Sequence, residues 1–113
     1  MSLKPIRIID LTRLQQIVDK DSEATVEDYL LCLMEEIGEI SRTILENKGI
    51  KKKKNRQSIK AEAVDAILCS LGLYLKLSEK GFDDIFTEIA DEKMSKWEKR
   101  LDTAKRLRRP ADN

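Results

Sequence analysis

The stretch that decides the fold is Ala61–Leu77, AEAVDAILCSLGLYLKL. It is apolar nearly all the way round when wound as a helix, and such a helix belongs at the centre of a structure. Yet it carries two carboxylates, Glu62 and Asp65, three residues apart and therefore on one face. Carboxylates in apolar surroundings are costly unless something compensates them. A second acidic cluster, Glu35, Glu36 and Glu39, stands upstream on another predicted helix. The pattern predicts two helices packed together, with the two clusters facing one another and sharing divalent metal.

Composition narrows the chemistry. A chain of 113 residues suggests a single domain, 1–113. Charged residues make up 38% and aromatic residues 4%, a balance that suits helices with solvated outer faces better than a β-sandwich. The net charge of +1 exerts no global pull toward nucleic acid or membrane, and neither is expected as a stable partner. There is no histidine. That removes histidine general bases, the Glu-x-x-His di-iron bundle and most zinc sites. Any metal shell would be built from oxygen, which favours Mg²⁺, with Mn²⁺ as the substitute. Cys32 and Cys69 fall inside apolar helical patterns with no disulfide or zinc spacing, and read as small buried apolar residues. The opening MSLKPIRIIDL lacks the long apolar core of a signal peptide, so a cytoplasmic setting is expected.

Outward from the central stretch, the remaining elements are helical. Asp10 is a candidate N-cap for a first helix to about Lys20, with Leu11, Leu14, Ile17 and Val18 on its apolar face. Thr25 and Asp28 form a capping-box variant that opens a second helix, from about Val26 to Lys48, stopped by Gly49. On it, Val26, Leu30, Leu33, Ile37, Ile40 and Ile44 make a central stripe, and Leu31, Met34 and Leu45 a second one on one flank. Glu36 and Glu39 lie on the opposite flank, near Tyr29, Cys32 and Thr43. A second apolar stripe on a small domain predicts a subunit interface. A basic loop follows at about 49–57, with Lys51–Lys54 in one run; such runs are ordinarily solvated connectors. Ser58 caps the third helix, to about Glu79, and Asp83 or Asp84 caps a fourth that runs toward Arg108. Ile85, Ile89, Trp97 and Leu101 mark the apolar side of that last helix, which favours core packing for Trp97. The expectation is an all-α, four-helix-type bundle assembled into a dimer or tetramer.

Four carboxylates carry the chemistry: Glu36 and Glu39 in EIGE, Glu62 and Asp65 in EAVD. Residues three apart on a helix are neighbours on one face, so each pair can converge on one ion. Repulsion forbids four such groups in one volume without cations, whereas Mg²⁺ turns them into a cage with positions left for water and phosphate oxygens. The plainer reading is surface charge, and EIGE alone would be read that way. EAVD resists it, because residues 63 to 75 are otherwise almost wholly uncharged.

In order and spacing these motifs, LMEEIGEI at Leu33–Ile40 and AEAVDAIL at Ala61–Leu68, resemble the MazG-like all-α nucleoside triphosphate pyrophosphohydrolases. The resemblance continues into ADEKMSKWEKRL, Ala90–Leu101, where the family tends to carry lysine and arginine on its last helix. It implies a helical bundle forming dimers or tetramers, which cleaves a nucleoside triphosphate between the α and β phosphates. It further implies Mg²⁺ on Glu36, Glu39, Glu62 and Asp65, with Lys93, Lys96 and Arg100 holding phosphate oxygens. Many members have asparagine where this chain has Asp91; an extra anion there would join the metal shell or weaken phosphate binding.

The chemistry also stands without the family. Divalent ions must bridge acidic side chains to a triphosphate, and they generate a nucleophile from water without histidine. Glu35 is the nearest further carboxylate to activate that water, although it points away from Glu36 on an ideal helix. Lysine and arginine would stabilise charge on leaving pyrophosphate, and Lys54 of the basic run is a further candidate for phosphate contact. Two rivals remain. One is a non-catalytic helical interaction module with acidic clusters on its surface. The other is a phosphohydrolase of the phosphoribosyl-ATP type, which usually carries histidine after its second acidic motif, where this chain reads AILCSLGLY.

Overall fold

The computed structural model describes residues 8–52, 58–79 and 81–108. Among these residues there are four α-helices and no strand: α1 (Leu11–Lys20), α2 (Val26–Asn47), α3 (Ile59–Leu77) and α4 (Asp84–Arg108). The chain divides into two compact units, Met1–Gly81 and Phe82–Asn113. The first holds α1, α2 and α3; the second is α4 with the turn that starts it.

The helix boundaries follow from local chemistry. Asp10 accepts a hydrogen bond from the Arg13 amide at 3.0 Å and so caps α1. At α2 the capping box is complete: Asp28 N donates to Thr25 Oγ1 at 3.2 Å and Thr25 N donates to Asp28 Oδ2 at 2.9 Å. Helix α2 ends at Asn47 with Lys48 as its cap, and Gly49 turns the backbone at φ +74, a left-handed conformation that favours glycine. Ser58 caps α3 through the Ala61 amide at 3.1 Å. That helix stops at Leu77, two residues before the expected Glu79, with Ser78 in extended conformation as its C-cap. Asp83, rather than Asp84, caps α4 by accepting from the Phe86 amide at 3.2 Å.

Helices α2 and α3 pack antiparallel, and a set of cross-helix contacts gives the register. The Tyr29 ring lies against Gly72, where a Cβ would sit 2.6 Å from Tyr29 Cδ1. Toward the other end, the Thr43 hydroxyl meets the carboxylate of Glu62. Between these, α2 presents Cys32, Glu36 and Glu39, and α3 presents Cys69 and Asp65. The alternating spacing of three and four residues along both helices is that of a packed helix–helix seam. Helix α1 packs on α3, and Lys76 Nζ ties this corner by donating to the Asp21 backbone carbonyl at 2.8 Å. That carbonyl lies at the negative end of the α1 dipole, where a cation is favoured.

The seam therefore falls on the flank of α2 that carries the glutamates. The central apolar stripe is largely uncovered in the single chain: Leu30, Ile37 and Ile44 are exposed, as are Leu31 and Met34 of the second stripe. On α3, Val64, Ile67 and Leu68 are exposed as well. Among the described residues, the buried hydrophobic side chains are Val18 and Leu75. Trp97, expected in a core, is 74% exposed, in line with Met94 and Leu101 on α4. Among the described residues no helix is long and apolar enough to cross a membrane.

Candidate metal centre

The seam between α2 and α3 brings residues of the two acidic motifs to one side of each helix. Glu62 is the most enclosed: it is 0% exposed, yet it is a carboxylate. Its position in the first turn of α3 favours negative charge through the helix dipole. Thr43, itself 5% exposed, places its hydroxyl 2.9 Å from Glu62 Oε1 and 3.0 Å from Oε2. The same hydroxyl lies 3.0 Å from the Glu39 carbonyl, so one proton is shared between a helix carbonyl and a carboxylate. Thr43 is thus one polar partner of Glu62 in a place where an unpartnered carboxylate would be strongly disfavoured.

Glu36 and Asp65 occupy adjoining positions, each one turn from a cysteine, Cys32 and Cys69 respectively. The Glu36 carboxyl is pushed above its ordinary value, first by desolvation and then by the charges of Asp65, Glu35, Glu39 and Glu62. All five acids therefore share one electrostatic neighbourhood. Glu39 and Asp65 are half-buried and have polar or electrostatic partners of their own. Glu35 is exposed and contributes to the field on Glu36 from the outer side of α2.

Among the described residues, no three carboxylate or thiol groups stand close enough together to form a ready metal cage. The donor chemistry nevertheless suits a hard dication: the anions are carboxylate oxygens, they come from two packed helices, and their charges add to desolvation in raising the Glu36 carboxyl. A cation would relieve that repulsion directly.

Two further features border the seam. Glu46, buried one turn beyond Thr43, lines a cavity of about 220 Å³ with Arg42, Lys51 and Lys52. Cys32 is exposed and Cys69 half-buried, so neither is the fully enclosed apolar residue expected. Both lie on the α2–α3 seam rather than under an apolar stripe. The Cys69 thiol is raised to about 11, by burial first, then by the neighbouring Cys32 and the hydrogen bond between the two thiols, and then by Glu36 and Asp65.

The cationic candidates belong to the second unit. Lys96 Nζ pairs with Glu92 Oε1 at 3.1 Å, one turn away on the same helix, in a largely exposed ion pair of small energetic weight. Lys93, Arg100 and Asp91 are exposed on α4. Lys54 lies outside the described residues.

Comparison with protein-family models, with curated proteins and with solved structures finds no match to the chain. Sequence reasoning placed Thr43 near the glutamates without giving it a role, and it passed over Glu46. The signal for both was present in the spacing 29, 32, 36, 39, 43, 46, which marks one continuous face of α2.

Proposed function

We propose that this chain is a Mg²⁺-dependent nucleoside triphosphate pyrophosphohydrolase, which cleaves between the α and β phosphates to give a nucleoside monophosphate and pyrophosphate. Clearing unwanted nucleotides from the pool is the role that fits such a reaction. The observation that supports the reading is that Glu36 and Glu39 of α2 and Glu62 and Asp65 of α3 lie along the facing flanks of an antiparallel helix pair, where the charges of the other three add to desolvation in raising the Glu36 carboxyl. Surface acids with no joint task have no reason to share the packed side of two helices, since their repulsion opposes the packing.

Glu36, Glu39 and Asp65 would hold the ion, with Glu62 as the enclosed member of the set, kept in orientation by Thr43. When bound, Mg²⁺ supplies Lewis acidity toward phosphate oxygens and acidifies a water molecule. Glu35, on the outer side of α2, is the candidate carboxylate to accept the proton of the attacking water. Lys93, Lys96 and Arg100 are the candidates to neutralise phosphate oxygens, with Arg100 offering a planar fork and the lysines point charges. Asp91 would oppose them unless it takes part in holding metal.

Assembly belongs to the same proposal. Leu31, Met34 and Ile37 on α2, and Val64 and Ile67 on α3, leave apolar surface on both helices of the seam. Water-exposed apolar area of this kind is lowered by packing against further helices, so a homodimer or homotetramer with a completed bundle is the expected state. The same surface is the specific observation in favour of the rival reading, a non-catalytic helical interaction module.

One experiment separates the two. The protein is incubated with a pool of canonical and damaged nucleoside triphosphates and Mg²⁺, and the products are identified. Monophosphate plus pyrophosphate supports the hydrolase. No turnover of any nucleotide, with none restored by Mn²⁺, leaves the interaction module.

A further inference from the structure

Cys32 and Cys69 stand opposite one another across the α2–α3 seam. Contacts on either side establish this rung. Tyr29 packs on Gly72, one helical step away from the cysteines along both helices, and Thr43 meets Glu62 further along in the opposite direction. Counting three residues from the Tyr29–Gly72 contact along each antiparallel helix arrives at Cys32 on α2 and Cys69 on α3, so the two side chains share one rung, and each thiol lies in the other's electrostatic surroundings. Disulfide formation needs such proximity of facing side chains, because rigid helices cannot draw distant cysteines together. The two thiols also differ in access: Cys32 is exposed, whereas Cys69 is half-buried behind it. An accessible attacking sulfur next to a less accessible resolving one is the arrangement that converts an oxidised thiol into a disulfide.

We propose that Cys32 and Cys69 are an intramolecular disulfide-forming pair whose oxidant is a small neutral hydroperoxide. The size and charge of the oxidant follow from the surroundings. Glu36 and Asp65 lie one turn from the two cysteines and would repel anionic disulfide reagents, whereas hydrogen peroxide carries no charge. In the first step the Cys32 sulfur, as thiolate, attacks one peroxide oxygen. An S–O bond forms, the O–O bond breaks, and the departing hydroxide leaves as water after taking a proton. In the second step the Cys69 sulfur attacks the Cys32 sulfenic sulfur. The S–S bond forms, the S–O bond breaks, and the Cys69 proton leaves with the hydroxyl as a second water. Two thiols are oxidised by two electrons, and one peroxide is reduced to two waters. The greater exposure of Cys32 makes it the first site of attack, with Cys69 as the resolving thiol.

The bridge would close the loop from residue 32 to residue 69 and staple α2 to α3 on the rung next to Glu36 and Asp65. It does not depend on those acids holding metal.

The test uses the full chain, reduced and freed of reductant, then treated with stoichiometric hydrogen peroxide. Intact mass should fall by two hydrogens, a peptide linking Cys32 to Cys69 should appear, and the thermal midpoint should rise by several degrees, reversibly with dithiol reductant. In the Cys69→Ser variant oxidation should stop at a Cys32 sulfenic acid that a carbon-acid trapping reagent labels. A disulfide between chains as the main product would overturn the proposal. So would sulfinic acid without the linked peptide, thiols that stay reduced, or a linked form that melts below the reduced one.

Discussion

Replacing Thr43 by valine tests the seam at its most enclosed point. The two side chains have nearly the same volume, so Thr43→Val opens no cavity; it exchanges the hydroxyl for a methyl facing the Glu62 carboxylate. The hydroxyl lies 2.9 and 3.0 Å from the two carboxylate oxygens, and both residues are buried. A hydrogen bond to a charged group contributes about 1.5–3 kcal/mol, so the expected loss is ~2 kcal/mol. For a domain of this size that is a fall in thermal midpoint of roughly 10 °C. Urea unfolding followed by circular dichroism, at one fixed protein concentration, measures the change. Thr43→Ser keeps the hydroxyl and gives up one methyl, so it should lose less, about 1 kcal/mol. In a Glu62→Met background, Thr43→Val should cost under ~0.5 kcal/mol, which gives a coupling of more than about 1 kcal/mol between the two sites. A loss under ~0.5 kcal/mol in the wild-type background is what an ordinary surface site gives, and it would refute the reasoning. An equal loss with and without Glu62 would refute it too.

The other predictions concern packing, charge, catalysis and assembly. Gly72→Ala should destabilise by about 1 kcal/mol, because a methyl overlapping the Tyr29 ring outweighs the gain in helix propensity; in a Tyr29→Ala background the same change should stabilise. The Glu36 carboxyl, raised by desolvation and by Asp65, Glu35, Glu39 and Glu62, holds its proton to higher pH in the folded chain than in the unfolded one. Its contribution to stability is therefore full below the ordinary value of 4.5 and lost as pH rises through the raised folded value. Thermal midpoints measured against pH in chelator should show that decline, and Glu36→Gln should flatten it. Glu39→Gln and Asp65→Asn should each abolish pyrophosphate release while leaving the helical spectrum intact, and each should shrink the rise in thermal midpoint that Mg²⁺ gives the wild type. Full turnover in both variants would remove the metal site. Ile37→Glu, on the exposed stripe of α2, should shift sedimentation toward single chains.

Much of the local structure was legible residue by residue. Asp10, Thr25 with Asp28, and Ser58 are short polar side chains placed just before apolar periodicity, and each caps the helix predicted to start there. Capping depends on neighbours three residues away, so a linear reading captures it. The facing of α2 was not legible in the same way. Hydrophobicity marked Leu30, Ile37 and Ile44 as the central stripe and the acidic motifs marked the Glu36 flank; α3 packs on the latter, at Tyr29 and Thr43, and leaves the former exposed. A helix with three distinct surfaces has no single inside, and periodicity alone does not rank them.

The chain order by itself determined that four helices form, where they begin and end to within two residues, and that EIGE and EAVD each present their acids on one face. Those properties come from contacts within one or two helical turns. Tertiary structure alone decided that Glu62 is fully enclosed, that Thr43 is its partner, and that Cys32 meets Cys69. Each of those joins residues 19 or more positions apart, and depends on the register in which α2 and α3 slide together.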